Sequence, residues 1–120
     1  MHATVLVAED DEIVRALLVR ILRGQDFQVV AARDGQEALE LAGDASALDL
    51  VVTDIRMPRL DGPALVSRLR ELRPLLPIVV VSSADRDEML PVLAGPCAYV
   101  SKPFDLEQLC LTVRASLLAA

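Results

Sequence analysis

A chain of 120 residues that is 53% hydrophobic yet has only Phe27, Tyr99 and Phe104 as aromatics is one domain, its core packed mainly from Val, Leu, Ile and Ala. A net charge of −6, with eleven thinly spread arginines, excludes direct nucleic-acid binding, which needs a basic face to neutralise phosphates. No apolar run reaches the roughly 18 residues of a membrane span and no signal peptide opens the chain, so a cytoplasmic protein is expected. Cys97 and Cys110 lack any metal-ligand spacing and read as reduced, buried small hydrophobes.

In chain order, short apolar β-branched runs alternate with longer segments of helical periodicity. ATVLVA (Ala3–Ala8) leads into a segment where Val14, Leu17, Leu18 and Ile21 form one helical stripe. FQVVAA (Phe27–Ala32) follows, and DGQEALELA after it opens with Asp34 and Glu37 at capping-box spacing. LDLVVT (Leu48–Thr53) precedes a third helix, GPALVSRLREL. PIVVVS (Pro77–Ser82) precedes a fourth, Asp85 to about Ala94. Pro91 predicts that this helix is short or distorted, because interior proline costs about 3 kcal/mol. CAYVS (Cys97–Ser101) is the fifth strand and DLEQLCLTVRASLL the fifth helix; Leu106, Leu109, Val113 and Leu117 form its core stripe, with Leu111 and Leu118 off it.

No repeat, linker or low-complexity tract interrupts this order, so residues 1–120 read as one domain. Near-continuous apolar strands alternating with helices predict an α/β fold, a parallel sheet buried on both faces. The commonest solution is a doubly wound, flavodoxin-like, five-stranded sheet of order 2-1-3-4-5 with helices on both faces. Its topological switch lies between strands 1 and 3, and ligands bind outside the carboxyl ends of the strands. Glu9, Asp10, Asp11 and Glu12 follow strand 1, Asp54 follows strand 3, Ser82 and Ser83 end strand 4, and Lys102 follows strand 5.

Clustered carboxylates repel one another and call for a cation. Hard oxygen ligands in an open crevice suit Mg²⁺, which binds through one or two carboxylates plus a phosphate. Asp11 and Glu12 are better read as acids at a helix N-terminus, favourable against the dipole. Glu9 and Asp10, facing Asp54 across the switch point, are the candidate metal ligands. Lys102, the only lysine of the chain, is a compact point charge on a slender stem, suited to one phosphoryl oxygen or the Asp54 carboxylate where an arginine fork is not. The sequence leaves the isomer of the Lys102–Pro103 bond open.

From VLVAEDDE through VVTDIRMPRLDG and LPIVVVSSAD to YVSKPF, the whole chain resembles the receiver domains of two-component response regulators. The resemblance implies that Asp54 is the phosphoacceptor, attacking the phosphoryl group of a phosphohistidine on a histidine kinase or histidine phosphotransfer protein. It implies that Glu9, Asp10, Asp54 and the backbone carbonyl of Arg56 surround Mg²⁺. Ser82 matches the family's hydroxyl position, with Ser83 at the small residue that follows, and Tyr99 matches the aromatic that turns inward when that hydroxyl is drawn to the phosphoryl group. A domain of this kind is a signalling phosphoacceptor and not a separate enzyme. It passes its signal through the face of the fourth helix, fifth strand and fifth helix, to an effector domain or a second copy.

The stretch from Ser82 to Lys102 is about two residues shorter than the family pattern, which, with Pro91, leaves the details of that output face open. Two rivals fit less well. A haloacid-dehalogenase-type phosphatase carries a D-x-D nucleophile at strand 1, where this chain has Glu9-Asp10-Asp11. A mononucleotide-binding module wants a hydroxyl- and glycine-rich loop there, and four acids would repel its phosphate. A receiver-like domain that is never phosphorylated is disfavoured, since no active-site position looks replaced.

Overall fold

Strand and helix alternate along the chain in this computed structural model, which describes residues 2–44, 47–82, 97–102 and 105–119, Asp44 and Ser82 by their backbone alone. The elements are β1 (Thr4–Ala8), α1 (Glu12–Gly24), β2 (Gln28–Ala32), α2 (Gly35–Asp44), β3 (Leu48–Thr53), α3 (Gly62–Leu72), β4 (Ile78–Ser82), β5 (Cys97–Ser101) and α4 (Leu106–Ala119). α4 is the fifth helix of the sequence reading. The expected fourth helix with its Pro91 break, Ser83, and Pro103 with its peptide bond lie outside the described residues. No helix among the described residues is long and apolar enough to cross a membrane.

The strands pair in parallel in the order β2-β1-β3-β4-β5, as the sequence predicts. Side chains alternate across a strand, and the core accordingly splits into two clusters. Leu6, Val51, Ile78 and Val80 pack under α2 and α3 with Ala38, Leu65 and Leu69. Val5, Val7, Leu50, Val52, Val79 and Val100 pack under α1 and α4 with Leu18, Leu22, Leu109 and Val113. Both clusters are almost wholly aliphatic, with a half-buried Tyr99 at the edge of the first and Phe27 at the edge of the second.

Each described helix start is fixed by an aspartate, including that of α4, where Asp105 accepts from Glu107 N–H at 2.8 Å. Asp11 accepts from the Ile13 and Val14 N–H groups at 2.9 and 3.0 Å, Asp34 from Glu37 N–H at 2.8 Å, and Asp61 from Ala64 N–H at 2.9 Å. Each satisfies a backbone donor that the first turn leaves without an intrahelical partner. The capping box at α2 differs in one bond. Glu37 reaches back to Arg33 N–H, at 3.1 Å, and not to the capping residue, aided by an ion pair with the Arg33 guanidinium.

The helical stripes need two corrections. Leu17 is 44% exposed and Leu22 takes its place in the core; Leu106, expected in the α4 stripe, is 54% exposed. Both line a groove between α1 and α4 and do not face the sheet, a choice that apolar spacing alone does not reveal. Cys97 and Cys110 are half-buried instead of fully buried.

One glycine brings α3 into place. Gly62 donates its N–H to the Ile55 carbonyl at 2.6 Å, and a Cβ there would collide with the Asp54 carbonyl oxygen and come within 2.7 Å of the Ile55 Cα. Backbone cannot yield as a flexible side chain can, so overpacking of about 1–3 kcal/mol is expected. Gly62→Ala will therefore lower the stability measured by urea denaturation by about that amount. The same change at the open Gly43, where nothing lies within 4 Å, will stabilise or leave stability unchanged, since alanine favours the helix interior.

Candidate functional site

The parallel register brings the acids together. Ala8 pairs with Thr53 across β1 and β3, so the next residue on each strand, Glu9 and Asp54, stands at the same level at the switch point. Backbone bonds hold that level: Asp54 N–H donates to the Ala8 carbonyl and Glu9 N–H to the Ala32 carbonyl, each at 3.1 Å. Glu9 is 1% and Asp54 8% exposed, while Asp10 is open to solvent. Ligand oxygens of these three carboxylates lie within 4.8 Å of one another.

Lys102 enters from the far side. Ser101 pairs with Ser82 at the end of β4 and β5, so Lys102 is the first residue past the sheet edge. Its stem spans the intervening β4, and its Nζ donates to Asp54 Oδ2 at 2.8 Å and to Glu9 Oε2 at 3.2 Å. The remaining Asp54 oxygen, Oδ1, accepts from Ile55 N–H at 2.6 Å, and Thr53 Oγ1 donates to the Asp54 carbonyl at 2.9 Å. Glu9 Oε1 accepts from Asp11 N–H at 3.3 Å, and Arg15 donates to the Glu9 carbonyl at 3.1 Å.

These contacts leave negative charge in excess. Burial, and then repulsion from Asp54, raise the Glu9 pKa to about 7 despite the Lys102 ammonium. Burial also works against the charge on Lys102, but its hydrogen bonds and the charges of Asp54 and Glu9 outweigh that, and its pKa is raised. Three carboxylates against one ammonium amount to two uncompensated charges when all are ionised. A hard divalent cation matches both that charge and the all-oxygen donor set. The residues fit a metal ion of the Mg²⁺ class.

The predicted residues are placed as follows. Glu9, Asp10, Asp54 and Lys102 come together. Arg56 lies two residues beyond Asp54 in the β3–α3 loop with its side chain exposed. Ser82 ends β4 opposite Ser101, its side chain outside the described residues. Tyr99 pairs with Val80 and packs, half-buried, against the cluster beneath α2 and α3. The sequence reading missed one ionic contact near the site: Arg59 makes a fork onto Asp34, at 2.9 Å from Nε and 3.0 Å from a terminal nitrogen. Twenty-five positions separate the two. Only the capping role of Asp34 had a local signal.

Residues 5–114 match the family model described as the response regulator receiver domain. The response regulator MprA of Mycolicibacterium vanbaalenii is 40% identical over 119 residues, covering 98% of this chain and 51% of the relative. The sensor kinase CckA of Brucella abortus is 37% identical over 118 residues, covering 96% of this chain and 12% of the kinase. The chain thus spans about half the length of one of these relatives and a small part of the other. Among solved structures, a response regulator receiver protein from Sinorhizobium medicae superposes with a TM-score of 0.91 at 32% identity, covering 98% of this chain and 96% of that one. The acids at the ends of β1 and β3 and the lysine after β5 therefore stand in a known framework: this chain belongs to the response regulator receiver domain family of two-component signalling.

Proposed function

We propose that residues 1–120 form a phosphoacceptor domain in which an Asp54 carboxylate oxygen attacks the phosphorus of a phosphohistidine on a histidine kinase or histidine phosphotransfer protein. The new O–P bond forms as the P–N bond breaks, and the imidazole leaves. One observation carries this reading: the oxygens of Glu9, Asp10 and Asp54 lie within 4.8 Å of one another while Lys102 Nζ donates to Asp54 Oδ2 at 2.8 Å. A nucleophile, a cation site and a fixed positive charge thereby share one crevice, and phosphoryl transfer requires little from a protein beyond such positioning and neutralisation.

Glu9, Asp10, Asp54 and the Arg56 carbonyl would hold Mg²⁺, which when bound neutralises charge on the phosphoryl oxygens. Lys102 would exchange its bond to Asp54 for one to a phosphoryl oxygen, moving only its ammonium on a flexible stem. Ser82 would supply a hydroxyl to a second phosphoryl oxygen. Tyr99, half-buried at the edge of the core, would then follow that hydroxyl inward and alter the face that includes β5 and α4. A signalling domain so built is phosphorylated and slowly hydrolyses its own phosphoaspartate, with no separate substrate. An effector domain or a second copy would read that face, and a cytoplasmic location follows from a kinase partner.

The direct test is incubation with Mg²⁺ and a small phosphodonor. Wild-type protein will gain one acid-stable, alkali-labile phosphoryl group, and Asp54→Asn will gain none, because an amide is not a nucleophile and provides no anionic ligand. Intact-mass measurement at neutral pH decides; full labelling of Asp54→Asn would show the acceptor to be elsewhere. Lys102→Arg will fail to restore wild-type labelling although charge is kept, since a planar fork does not fit a point-charge site shared by Asp54 and Glu9. Wild-type rates in that variant would sink the point-charge account.

The charge excess also predicts a pH dependence. The folded pKa of Glu9, about 7, lies above its ordinary value of 4.5, so folding favours the protonated form. Its contribution is fully present below about 4.5 and is lost as pH rises through about 7. Stability of the metal-free chain will therefore fall between pH 5 and pH 8. Asp34, held below the ordinary carboxylate range chiefly by its bond from Arg59, titrates beneath this window. Glu9→Gln will flatten the decline and raise stability at pH 8, in urea melts recorded with a chelator, while weakening Mg²⁺ binding. An unchanged slope would mean that Glu9 does not carry the excess charge.

A further inference from the structure

The Arg59–Asp34 fork joins two segments that chain connectivity leaves far apart. Asp34 ends the β2–α2 turn and is 7% exposed, and its Oδ1 accepts both from Arg59 and from Glu37 N–H at the start of α2. Arg59 lies in the β3–α3 loop with φ 68°, a left-handed conformation that a long side chain rarely adopts without support. The two segments also touch through backbone. A Cβ at Gly35 would collide with the Leu60 carbonyl oxygen and lie 2.9 Å from the Leu60 Cβ. Around this point the loop is anchored on either side, by buried Ile55 and Met57 toward the sheet and by the Gly62-to-Ile55 bond and the Asp61 cap toward α3.

We propose that the Arg59–Asp34 pair is a positioning device that holds the β3–α3 loop against the start of α2, and thereby sets the backbone immediately after Asp54. The inference rests on the phosphoacceptor reading, in which the Arg56 carbonyl, three residues before Arg59, faces the cation. Arg59 touches none of the reacting atoms in this scheme. It acts through the loop, by keeping one conformation of Arg56 to Leu60 populated before the cation and phosphodonor arrive. The fork geometry matters as well as the charge: two parallel N–H donors fix both the distance and the orientation of the loop, which a lysine cannot do.

Three variants of the full chain separate positioning from stability. Arg59→Gly removes the fork but accepts the left-handed φ. Arg59→Lys keeps the charge without the fork. Asp34→Asn keeps a side-chain oxygen for the α2 cap, for which asparagine serves well, but loses the ionic partner. Each will be examined without metal by amide hydrogen exchange, and with Mg²⁺ by calorimetric titration and by the rate of Asp54 labelling from a small phosphodonor. The expected result is faster exchange across residues 55–60 with β1 unchanged, Mg²⁺ affinity about tenfold weaker, and labelling slowed to match. Arg59→Lys will behave like Arg59→Gly, and the Arg59→Gly/Asp34→Asn double variant will be no worse than either single one. Unaltered loop exchange overturns the proposal, and so does faster exchange with wild-type Mg²⁺ affinity and labelling, which would make the pair a stability element alone. If wild-type protein neither binds Mg²⁺ nor labels at Asp54, the phosphoacceptor reading itself fails and the positioning role falls with it, a result visible before any variant is made.

Discussion

Repulsion between Glu9 and Asp54 at adjacent strand ends is the constraint around which the rest is arranged. Two like charges about 4 Å apart repel by about 4 kcal/mol at an effective dielectric near 20, and the parallel register of β1 and β3 offers these two side chains no retreat. Lys102, bonded to both, offsets only part of this, as the raised pKa of Glu9 records. The fold therefore maintains a crevice whose excess charge a bound cation would relieve. Under the proposed function that is a useful state, since cation binding and phosphorylation would both act on this charge.

The backbone around the crevice is correspondingly tight. Gly62 allows the first turn of α3 to press on the Asp54 carbonyl, and Gly35 allows the start of α2 to press on the Leu60 carbonyl. Two glycines, the Asp61 cap and the Arg59 fork convert a loop of eight residues, 54–61, into a part with few alternatives. The proposed chemistry asks movement only of side chains, the Lys102 ammonium on its long stem and the half-buried Tyr99.

Away from the crevice, α1 and α4 border an apolar groove of about 670 Å³ lined by Leu17, Ile21, Leu106, Cys110 and Leu111, with Arg20, Glu107 and Arg114 among its polar walls. This groove explains why Leu17 and Leu106 depart from their expected core stripes: each helix turns part of its apolar face toward the other and not toward the sheet. Leu111 and Leu118, read from the sequence as lying off the core stripe of α4, are 60% and 87% exposed.

The strands, the helices among the described residues and the order of the sheet were legible in the linear chain because each is signalled locally. β-branched runs and helical spacing mark the elements, and the parallel α/β arrangement forces strand ends to one edge. That is why Glu9, Asp10, Asp54 and Lys102 could be nominated before any contact was known. What tertiary structure decided are relations between distant positions: that Lys102 bonds Glu9 as well as Asp54, that Leu22 and not Leu17 is buried, that Glu37 reaches Arg33, and that Arg59 finds Asp34. Such choices depend on the relative height of two strands or the angle of a helix over the sheet, set by packing the whole aliphatic core at once, and no local pattern of residues encodes them.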